Sequence, residues 1–272
     1  MMIGRCSVSR GRRRLLSIAA VLAACVAGPA AAAQSLSDRV SGAPDGTVRV
    51  TFAAKPGLCG DGVSFISNQG TWRRVWNDPG TADCPCEFGP VRLSLRVSRG
   101  HVLDVEAGVG PRWRAATGAI TDLGTVSVAE AGRYLLTLAR EGRGDDVGED
   151  AVFAVTLADS LTVWPDLLGI ARDAELPKDT RKSATFWLGH IAGDAITEKL
   201  GELVEDDDVD LEIREHAIFA LSQRPPDEGV PALIAVVRAN RDPRLVRKAL
   251  FWLGDTGDPR ALDLFEEILS RR

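Results

Sequence analysis

The sequence predicts an α+β molecule in two parts, a small N-terminal antiparallel β domain followed by a C-terminal all-α solenoid of about four helical hairpins. The letters FWLG occur at residues 186–189 and again at 251–254, with a related segment midway between them. Residues 46–126 instead alternate apolar and polar side chains and are interrupted by glycine. A repeat of this kind is typical of helical solenoids, whereas alternation is typical of strands with one buried face.

The repeat returns about every 33 residues and has two halves. An alanine, a phenylalanine and a leucine recur in the first half, at Ala184, Ala217, Ala249, Phe153, Phe186, Phe219, Phe251, Leu188, Leu221 and Leu253. The second half places apolar residues at positions i, i+4 and i+7, as in Ile196, Leu200 and Leu203, which form one face of a helix. One hairpin cannot bury its own apolar face, so the units must stack, and the aromatic residues are predicted to fill the seams.

An aspartate stands between the two halves of every unit. Its carboxylate can accept hydrogen bonds from the free N–H groups at the start of the second helix, and its charge suits the helix dipole. We therefore predict that four aspartates cap the second helices: Asp159, Asp194, Asp227 and Asp258.

The front domain contains three recognisable strands, at 47–52, 91–97 and 101–105, and the turn between the last two predicts a hairpin. Ser127 and Glu130 then have the spacing of a capping box, which predicts a helix that covers the open face of the first repeat. The predicted organisation is a flexible N-terminal segment at 34–45, the β domain at 46–126, the capping helix and turn at 127–148, and the solenoid at 149–272.

Residues 1–33 have the composition of a secretory signal peptide. They hold five arginines and no acid, followed by a short apolar run and a row of alanines, which predicts cleavage after Ala33 and export to the periplasm or cell envelope. Residues 22–25 also fit a lipoprotein signal, so a chain anchored at Cys25 stays open as the alternative, and a membrane is a predicted partner only in that case.

Charge excludes one class of partner. The chain has 33 basic and 38 acidic residues, and loss of five arginines with the signal peptide leaves 28 against 38, a net charge of −10. DNA and RNA are polyanions that such a surface repels, so no nucleic-acid partner is expected.

Three cysteines remain after cleavage, namely Cys59, Cys84 and Cys86. Exported proteins keep disulfides, and the two cysteines of the Cys-Pro-Cys sequence cannot readily bond to each other. Cys59 is therefore predicted to pair with Cys84 or with Cys86. The alternative, a metal site that adds His101 to the three thiols, lacks the usual zinc-ligand spacing.

No catalytic residue, cofactor site or metal site is predicted. His101, His190 and His216 do not form an HExxH motif, and neither a phosphate-binding loop nor a G-x-S-x-G elbow is present. The acidic stretch 205–212 begins like a calcium loop but has Leu211 where that loop needs glycine, so we interpret it as a solvated loop between repeats.

The motifs A-x-F-[WA]-L-[GS] in the first helix and G-D-x-x-A-[IL] at the second resemble HEAT repeats of the short kind also found in phycobilisome-lyase-type proteins, across about residues 149–270. The region before them is similar to the front half of exported bacterial HEAT proteins. The resemblance implies a non-catalytic interaction or scaffold protein that binds a protein partner in the cell envelope. Second helices line the concave face of such folds, so the expected contact residues are Glu198, Glu202, Arg238, Asp263 and Glu267.

Two other functions stay open from the sequence. The β domain could bind a small molecule or a metal through its glycine-rich loops and Cys84 to Cys86, with the solenoid as support. A third hypothesis is an enzyme whose catalytic residues form no recognised motif, because a fold alone does not exclude chemistry.

Overall fold

The computed structural model describes residues 34–62, 65–68, 72–75, 86–116, 118–142, 146–191 and 193–270. The predicted signal peptide, the alternative anchor at Cys25, and Cys84 lie outside the described residues. Within them the elements follow in this order: α1 (Leu36–Ser41), β1 (Gly46–Phe52), β2 (Leu58–Gly60), β3 (Phe65–Asn68), β4 (Trp72–Val75), β5 (Glu87–Phe88), β6 (Val91–Ser98), β7 (His101–Val109), β8 (Ile120–Thr125), α2 (Val128–Glu141), α3 (Val147–Thr156), α4 (Trp164–Arg172), α5 (Lys178–Gly189), α6 (Asp194–Glu205), α7 (Leu211–Ser222), α8 (Pro226–Ala239), α9 (Pro243–Thr256) and α10 (Pro259–Ser270).

The larger sheet has the strand order β7-β6-β1-β8. Its alternating strands bury one face as predicted, with Val48, Val50 and Phe52 of β1 completely buried. The predicted hairpin joins β6 to β7 through a two-residue turn, in which Arg99 and Gly100 both have positive φ angles of 49° and 76°. Left-handed residues at both central positions are what a tight hairpin turn requires.

The expectation of a purely antiparallel domain is wrong at β8, which pairs with β1 in parallel. Strand β7 ends at the same end of the sheet as β1, because each is antiparallel to β6. Strand β8 starts at Ile120, which pairs with Thr47 at the opposite end of the sheet, so β8 runs in the direction of β1. The domain is therefore mixed.

A second sheet of four short strands, in the order β4-β3-β2-β5, carries the disulfide. Cys59 in β2 is bonded to Cys86, the residue before β5, with their Cα atoms 5.2 Å apart. This confirms the predicted disulfide and assigns its second half to Cys86 rather than Cys84. Gly110 lies so close to this sheet that a Cβ atom there would be 2.6 Å from the carbonyl oxygen of Gly60, which explains the need for glycine at this junction.

The N-terminal segment predicted to be flexible contains a packed helix. The side chain of Ser35 accepts a hydrogen bond from the Asp38 backbone and the Asp38 carboxylate accepts one from Ser35, which completes a capping box at the start of α1. Leu36 and Val40 of this helix are each 1 % exposed. Burial of these two side chains explains why the segment is ordered despite its polar composition.

The capping box predicted at α2 is only half formed. Ser127 accepts a hydrogen bond from the backbone N–H of Glu130, as expected. The Glu130 carboxylate instead binds Arg39 of α1 at 3.0 Å. It therefore links α1 to α2 rather than closing its own helix start.

The helices from α3 onward form a helical repeat. The first helices α3, α5, α7 and α9 contact one another in sequence, and each second helix contacts the first helix that follows it. The recurring alanines and leucines lie in the core, since all of these are completely buried: Ala184, Leu188, Ala217, Leu221, Ala249 and Leu253. Gly189 of the first FWLG copy lets α5 approach α7, because a Cβ atom there would be 2.7 Å from the Ala220 carbonyl oxygen.

Among the predicted aspartate caps whose side chains the structure describes, one is present, and the side chain of Asp194 lies outside that set. Asp258 accepts a hydrogen bond from the backbone N–H of Arg260 at 2.9 Å, and the side-chain hydrogen bond from Arg260 lowers the pKa of Asp258 to about 2. The residues that precede helices α4, α6 and α8 form no side-chain cap, namely Val163, Gly193 and Pro225. Prolines in the first turns of α4 and α8 have no N–H, which leaves fewer donors to satisfy.

Helix α2 lies against the first repeat. It packs on α3, and its Arg140 binds Asp166 of α4 at 2.9 Å. Other neighbouring second helices are joined in the same way, by Arg172 with Glu202 and by an ion pair between α8 and α10. Helix α2 thus takes the position that a second helix would have ahead of α3. None of the described helices is long and apolar enough to cross a bilayer.

Buried arginines join successive repeats, a feature that the sequence analysis missed. The Nε atoms of Arg181 and Arg214, 33 positions apart, donate to the carbonyl oxygens of Ala171 and Val204, at 3.2 and 2.7 Å. Each acceptor lies in the last turn of the preceding second helix, where carbonyl groups lack partners within the helix. Arg181 before the first FWLG copy and the equivalent Arg214 one repeat later therefore link each unit to the one before it.

The acidic stretch 205–212 supplies the carboxylates for these arginines. Asp207 binds Arg214 at 2.7 Å, and Asp210 binds the buried Arg181. Among the described residues no group of histidine, cysteine, aspartate and glutamate side chains is arranged to hold a metal ion. Asp207 and Asp210 of this loop thus form ion pairs with the arginines that link successive repeats.

Candidate functional site on the first helices

The residues predicted to contact a partner lie on the second helices, and three of them form ion pairs within the molecule. Glu202 contacts Lys199 at 2.5 Å and Arg172 at 3.7 Å, and Arg238 contacts Glu267 at 2.9 Å. Glu198 and Asp263 are exposed and far apart in the repeat, on α6 and α10. Much of the charge on this face is thus neutralised within the molecule, and its role in binding stays a prediction.

The opposite face carries a row of aromatic rings, here called the aromatic row: Phe153, Phe186, Trp187, Phe219, Phe251 and Trp252. The centroids of Phe153 and Trp187 are 5.2 Å apart, those of Phe186 and Phe219 6.0 Å, and those of Phe219 and Trp252 5.0 Å. Each pair crosses from one repeat to the next, which confirms that these residues fill the seams.

The aromatic row is not buried like a core. Most of its members are half-buried, and Phe251 at the last repeat is 64 % exposed. Its rings therefore pack against each other on one side and reach solvent on the other. Aromatic side chains held rigidly in this way are typical of contact surfaces between proteins.

A cleft of about 490 Å³ runs beside the first part of the aromatic row, and we call it the first-helix cleft. Phe153, Phe186 and Trp187 line it together with acidic residues from α3 and α5 and with His216 of α7. A smaller cleft of about 180 Å³, the sheet cleft, lies between β7 and α3. Asp150 and Phe153 line both, so the two clefts adjoin at α3, and we call them together the composite groove.

Trp113 is fixed at the sheet end of the composite groove. The guanidinium groups of Arg49 and Arg92 lie 4.9 and 4.8 Å from its ring centroid. Arg49 also donates to the Arg114 carbonyl oxygen at 2.8 Å, and Arg92 donates to the Gly110 carbonyl oxygen at 2.7 Å. These cation–π contacts and hydrogen bonds hold the ring and its loop against the sheet.

The electrostatics of the groove are set by burial and by neighbouring charges. Burial, and then the nearby carboxylate of Glu106, raises the pKa of Asp104. Burial, followed by the charges of Lys182 and Lys248, lowers the pKa of His216. Burial and the neighbouring carboxylate thus disfavour the negatively charged form of Asp104, and burial and the neighbouring lysines disfavour the positively charged form of His216.

His190 follows the FWLG motif of α5 and packs edge-on against Phe186, with ring centroids 4.3 Å apart. Burial, and then the charge of Arg224, lowers its pKa from 6.5 to about 4. The folded protein therefore prefers the neutral ring. Stability from this residue is complete above pH 6.5 and is lost as the pH falls towards 4, because the unfolded chain takes up the proton first.

We expect the wild type to lose about 2 kcal/mol more unfolding free energy between pH 7.5 and pH 5 than the variant His190→Gln, from linkage to this one group. Urea unfolding at both pH values measures the difference. Parallel loss of stability in the two proteins would contradict the shifted pKa.

Sequence reasoning found the members of the aromatic row but missed Trp113 and Asp150. Trp113 lies alone in a loop rich in glycine and arginine, and Asp150 appears as one acid among several at a helix start. Neither residue lies in a recognisable sequence motif, because only the folded structure brings the two residues to the same groove. The metal alternative for the β domain loses two of its thiols, since Cys59 and Cys86 are bonded to each other.

Comparison with known proteins bears on the repeat alone. Residues 197–272 match the family model for HEAT repeats. No curated protein matches the chain. The match covers α7 to α10 and most of α6, which include two of the three helices in which the alanine and leucine positions recur. Residues 197–272 of the chain therefore contain HEAT repeats.

Proposed function

We propose that this protein is a non-catalytic, exported scaffold whose four HEAT-like hairpins, α3–α4, α5–α6, α7–α8 and α9–α10, form a solenoid that binds a protein partner of the cell envelope. HEAT repeats commonly mediate contacts between proteins. The observation that carries the proposal is the aromatic row, which crosses every seam of the repeat and stays partly open to solvent beside the first-helix cleft.

The first-helix face suits this role better than the second-helix face expected from the resemblance. Ion pairs such as Arg238 with Glu267 already join neighbouring second helices, and a partner would have to break or desolvate them. The first helices present rigid aromatic rings, which add contact area at little entropic cost. The proposed binding surface is accordingly the aromatic row with the first-helix cleft.

Export is supported by two independent features. Residues 1–33 have the charge and apolar pattern of a signal peptide. The disulfide between Cys59 and Cys86 is of the kind that persists in oxidising compartments.

The double variant Trp187→Leu/Phe251→Ser should reduce partner recovery from envelope extract about tenfold, the result expected when two aromatic contacts are removed from an interface. Leucine keeps an apolar group in the seam at position 187. Quantitative pull-down followed by mass spectrometry measures recovery, and thermal unfolding checks that the variant is folded.

The matched control is the double variant Glu198→Gln/Asp263→Asn, which changes two exposed residues of the second helices. It should recover the same partners as the wild type. Loss of the partners in this control, with normal recovery by the aromatic variant, would move the binding surface to the second helices.

A further inference from the structure

We propose that two copies of this chain form a homodimer through the last described hairpin, with their α9 helices packed antiparallel about a two-fold axis. The surface involved, here called the terminal face, consists of the residues of α9 and α10 that point away from the preceding hairpins. Its members are Phe251, Gly254, Leu262, Ile268 and Leu269. This self-association goes beyond the proposed binding of a partner and can be measured without that partner.

The internal repeats show what the terminal face is suited to contact. The two FWLG copies start at residues 186 and 251, so equivalent residues of the hairpins α5–α6 and α9–α10 lie 65 positions apart. A Cβ atom at Gly189 would lie 2.7 Å from the carbonyl oxygen of Ala220 in α7. Around the equivalent Gly254, no atom of a neighbouring described element lies within 4 Å of such a Cβ atom. The last hairpin thus keeps the glycine that permits close helix packing, but the described chain places no helix against it.

Helix α10 differs from α6 in the same way. Leu203 and Val204 of α6 are completely buried, and α6 contacts both helices of the hairpin that follows. Their equivalents in α10, Ile268 and Leu269, are 37 % and 67 % exposed. Leu262 on the same helix is exposed as well. Apolar surface of this kind at the end of a solenoid is usually covered, either by a polar cap or by another molecule.

The charges on α9 favour a second copy of the chain as the occupant. Arg247 and Asp255 are exposed and lie one four-residue step before and after Phe251, on the same side of the helix. Neither side chain forms an ion pair within the described part of the chain. In an antiparallel pair of α9 helices centred on Phe251, Arg247 of each copy lies opposite Asp255 of the other. A symmetric contact therefore gains two ion pairs, whereas a parallel pair would place like charges together.

The first hairpin explains why the contact joins two terminal faces. Helix α2 and strand β7 both contact α3, so the open side of the first hairpin is already occupied within the molecule. The terminal face of one copy therefore has no free first hairpin to stack on in another copy. A head-to-tail filament is thus disfavoured, and the closed, two-fold contact remains.

Phe251 belongs to both the aromatic row and the terminal face. In the dimer the two aromatic rows meet at this residue. The first-helix cleft, which is lined by Phe153, Phe186 and Trp187, lies on the earlier hairpins and stays open in each copy. Gly254, Arg247 and Asp255 lie outside the aromatic row, so variants at these three positions test the dimer separately from partner binding.

Sedimentation equilibrium of the full-length processed protein tests the proposal, and the expected mass is twice that of one chain. The single variants Arg247→Glu and Asp255→Lys should each weaken the dimer at least about tenfold, because each places like charges opposite one another twice. An equimolar mixture of the two variants should restore the dimer, since both contacts then join opposite charges. Thermal unfolding checks that each variant is folded.

The variant Gly254→Gln separates the contact from folding. Glutamine is a better helix former than glycine, so the folded monomer should be at least as stable as the wild type. The added side chain blocks the close approach of the two α9 helices, and the dimer should weaken about tenfold. The matched control is Gly169→Gln in α4, another exposed helical glycine with open space around it, which should leave the dimer unchanged.

A wild type that stays monomeric at about 100 μM would overturn the proposal, because a stable interface of this kind is populated at that concentration. A dimer that withstands both charge reversals and Gly254→Gln would use another surface and would overturn it as well. If each charge variant loses the dimer and the mixture does not regain it, the antiparallel pairing of α9 is wrong.

Discussion

Replacing Arg224 with methionine is expected to lower the unfolding free energy by about 3 to 4 kcal/mol, the range for removing one partner from a buried charged network. Arg224 lies in the turn between α7 and α8 and is 6 % exposed. Its Nε atom donates to the Thr197 hydroxyl at 2.9 Å, and its guanidinium binds the Glu228 carboxylate.

The guanidinium also donates to three carbonyl oxygens of the preceding hairpin turn, those of Gly189, Ile191 and Gly193. The carbonyl groups of Gly189 and Ile191 lie at or just beyond the C-terminal end of α5, where carbonyl groups lack partners within the helix, whereas that of Gly193 also accepts a hydrogen bond from the Ile196 backbone N–H at 3.0 Å. Methionine keeps the apolar stem and removes every donor, so buried acceptors remain unpaired. Lysine at this position should also destabilise, because a single ammonium group cannot reproduce the fork of donors.

Urea unfolding at pH 7.5 measures the effect, and Arg238→Met is the matched control. Arg238 forms an ion pair with Glu267, but its side chain is 62 % exposed. Its replacement should change the unfolding free energy by less than about 1 kcal/mol, as is usual for surface pairs. Similar losses of unfolding free energy in the two variants would contradict the inference that the buried hydrogen bonds of Arg224 hold neighbouring hairpins together.

Removal of the disulfide should have an effect of similar size. Cys59 and Cys86 are 27 positions apart, and the chain-entropy relation for such a loop gives a loss of about 3 to 4 kcal/mol. The double variant Cys59→Ala/Cys86→Ala should therefore unfold at a lower urea concentration than the oxidised wild type. The bonded cysteines join the strand β2 to β5, a pairing of only two residue pairs.

Reduction offers a control within the same proteins. Dithiothreitol should lower the stability of the wild type to that of the double variant and should leave the double variant unchanged. Equal sensitivity of the two proteins to the reductant would show that another thiol is responsible. Counting thiols in the processed, denatured protein should give one, from Cys84.

The repeat could be predicted from the sequence because its signal is periodic. Ala184, Ala217 and Ala249 mark equivalent buried positions, and the spacing alone indicates stacked helices. The short helix α1 and the parallel strand β8 could not be predicted in the same way. Helix α1 is stabilised by burial of Leu36 and Val40, and the direction of β8 depends on a crossover that leaves no pattern in its own residues.

The candidate site was predictable only in part. The recurrence of Phe186 and Phe219 predicts seams, and the structure confirms contacts across them. Recurrence does not indicate which side of a ring stays exposed to solvent. One aromatic side chain can pack against its neighbour on one side and contact solvent on the other. The groove also needs Trp113 to lie near Asp150, and contacts between such distant segments are set by tertiary packing that no local pattern encodes.

The residue pattern of the sequence changes from strand-like to helical near residue 148, but the hydrophobic core is continuous across this boundary. Backbone hydrogen bonds run from Lys55 to Leu157 and from Asp159 to Ala53, and buried residues of strands and helices belong to one cluster. A fragment cut at this boundary would lose the wall that β7 and α2 provide for α3. The β domain and α2 therefore cover the first helix of the repeat, and a fragment that contains the repeats alone would expose the apolar side of α3 to solvent.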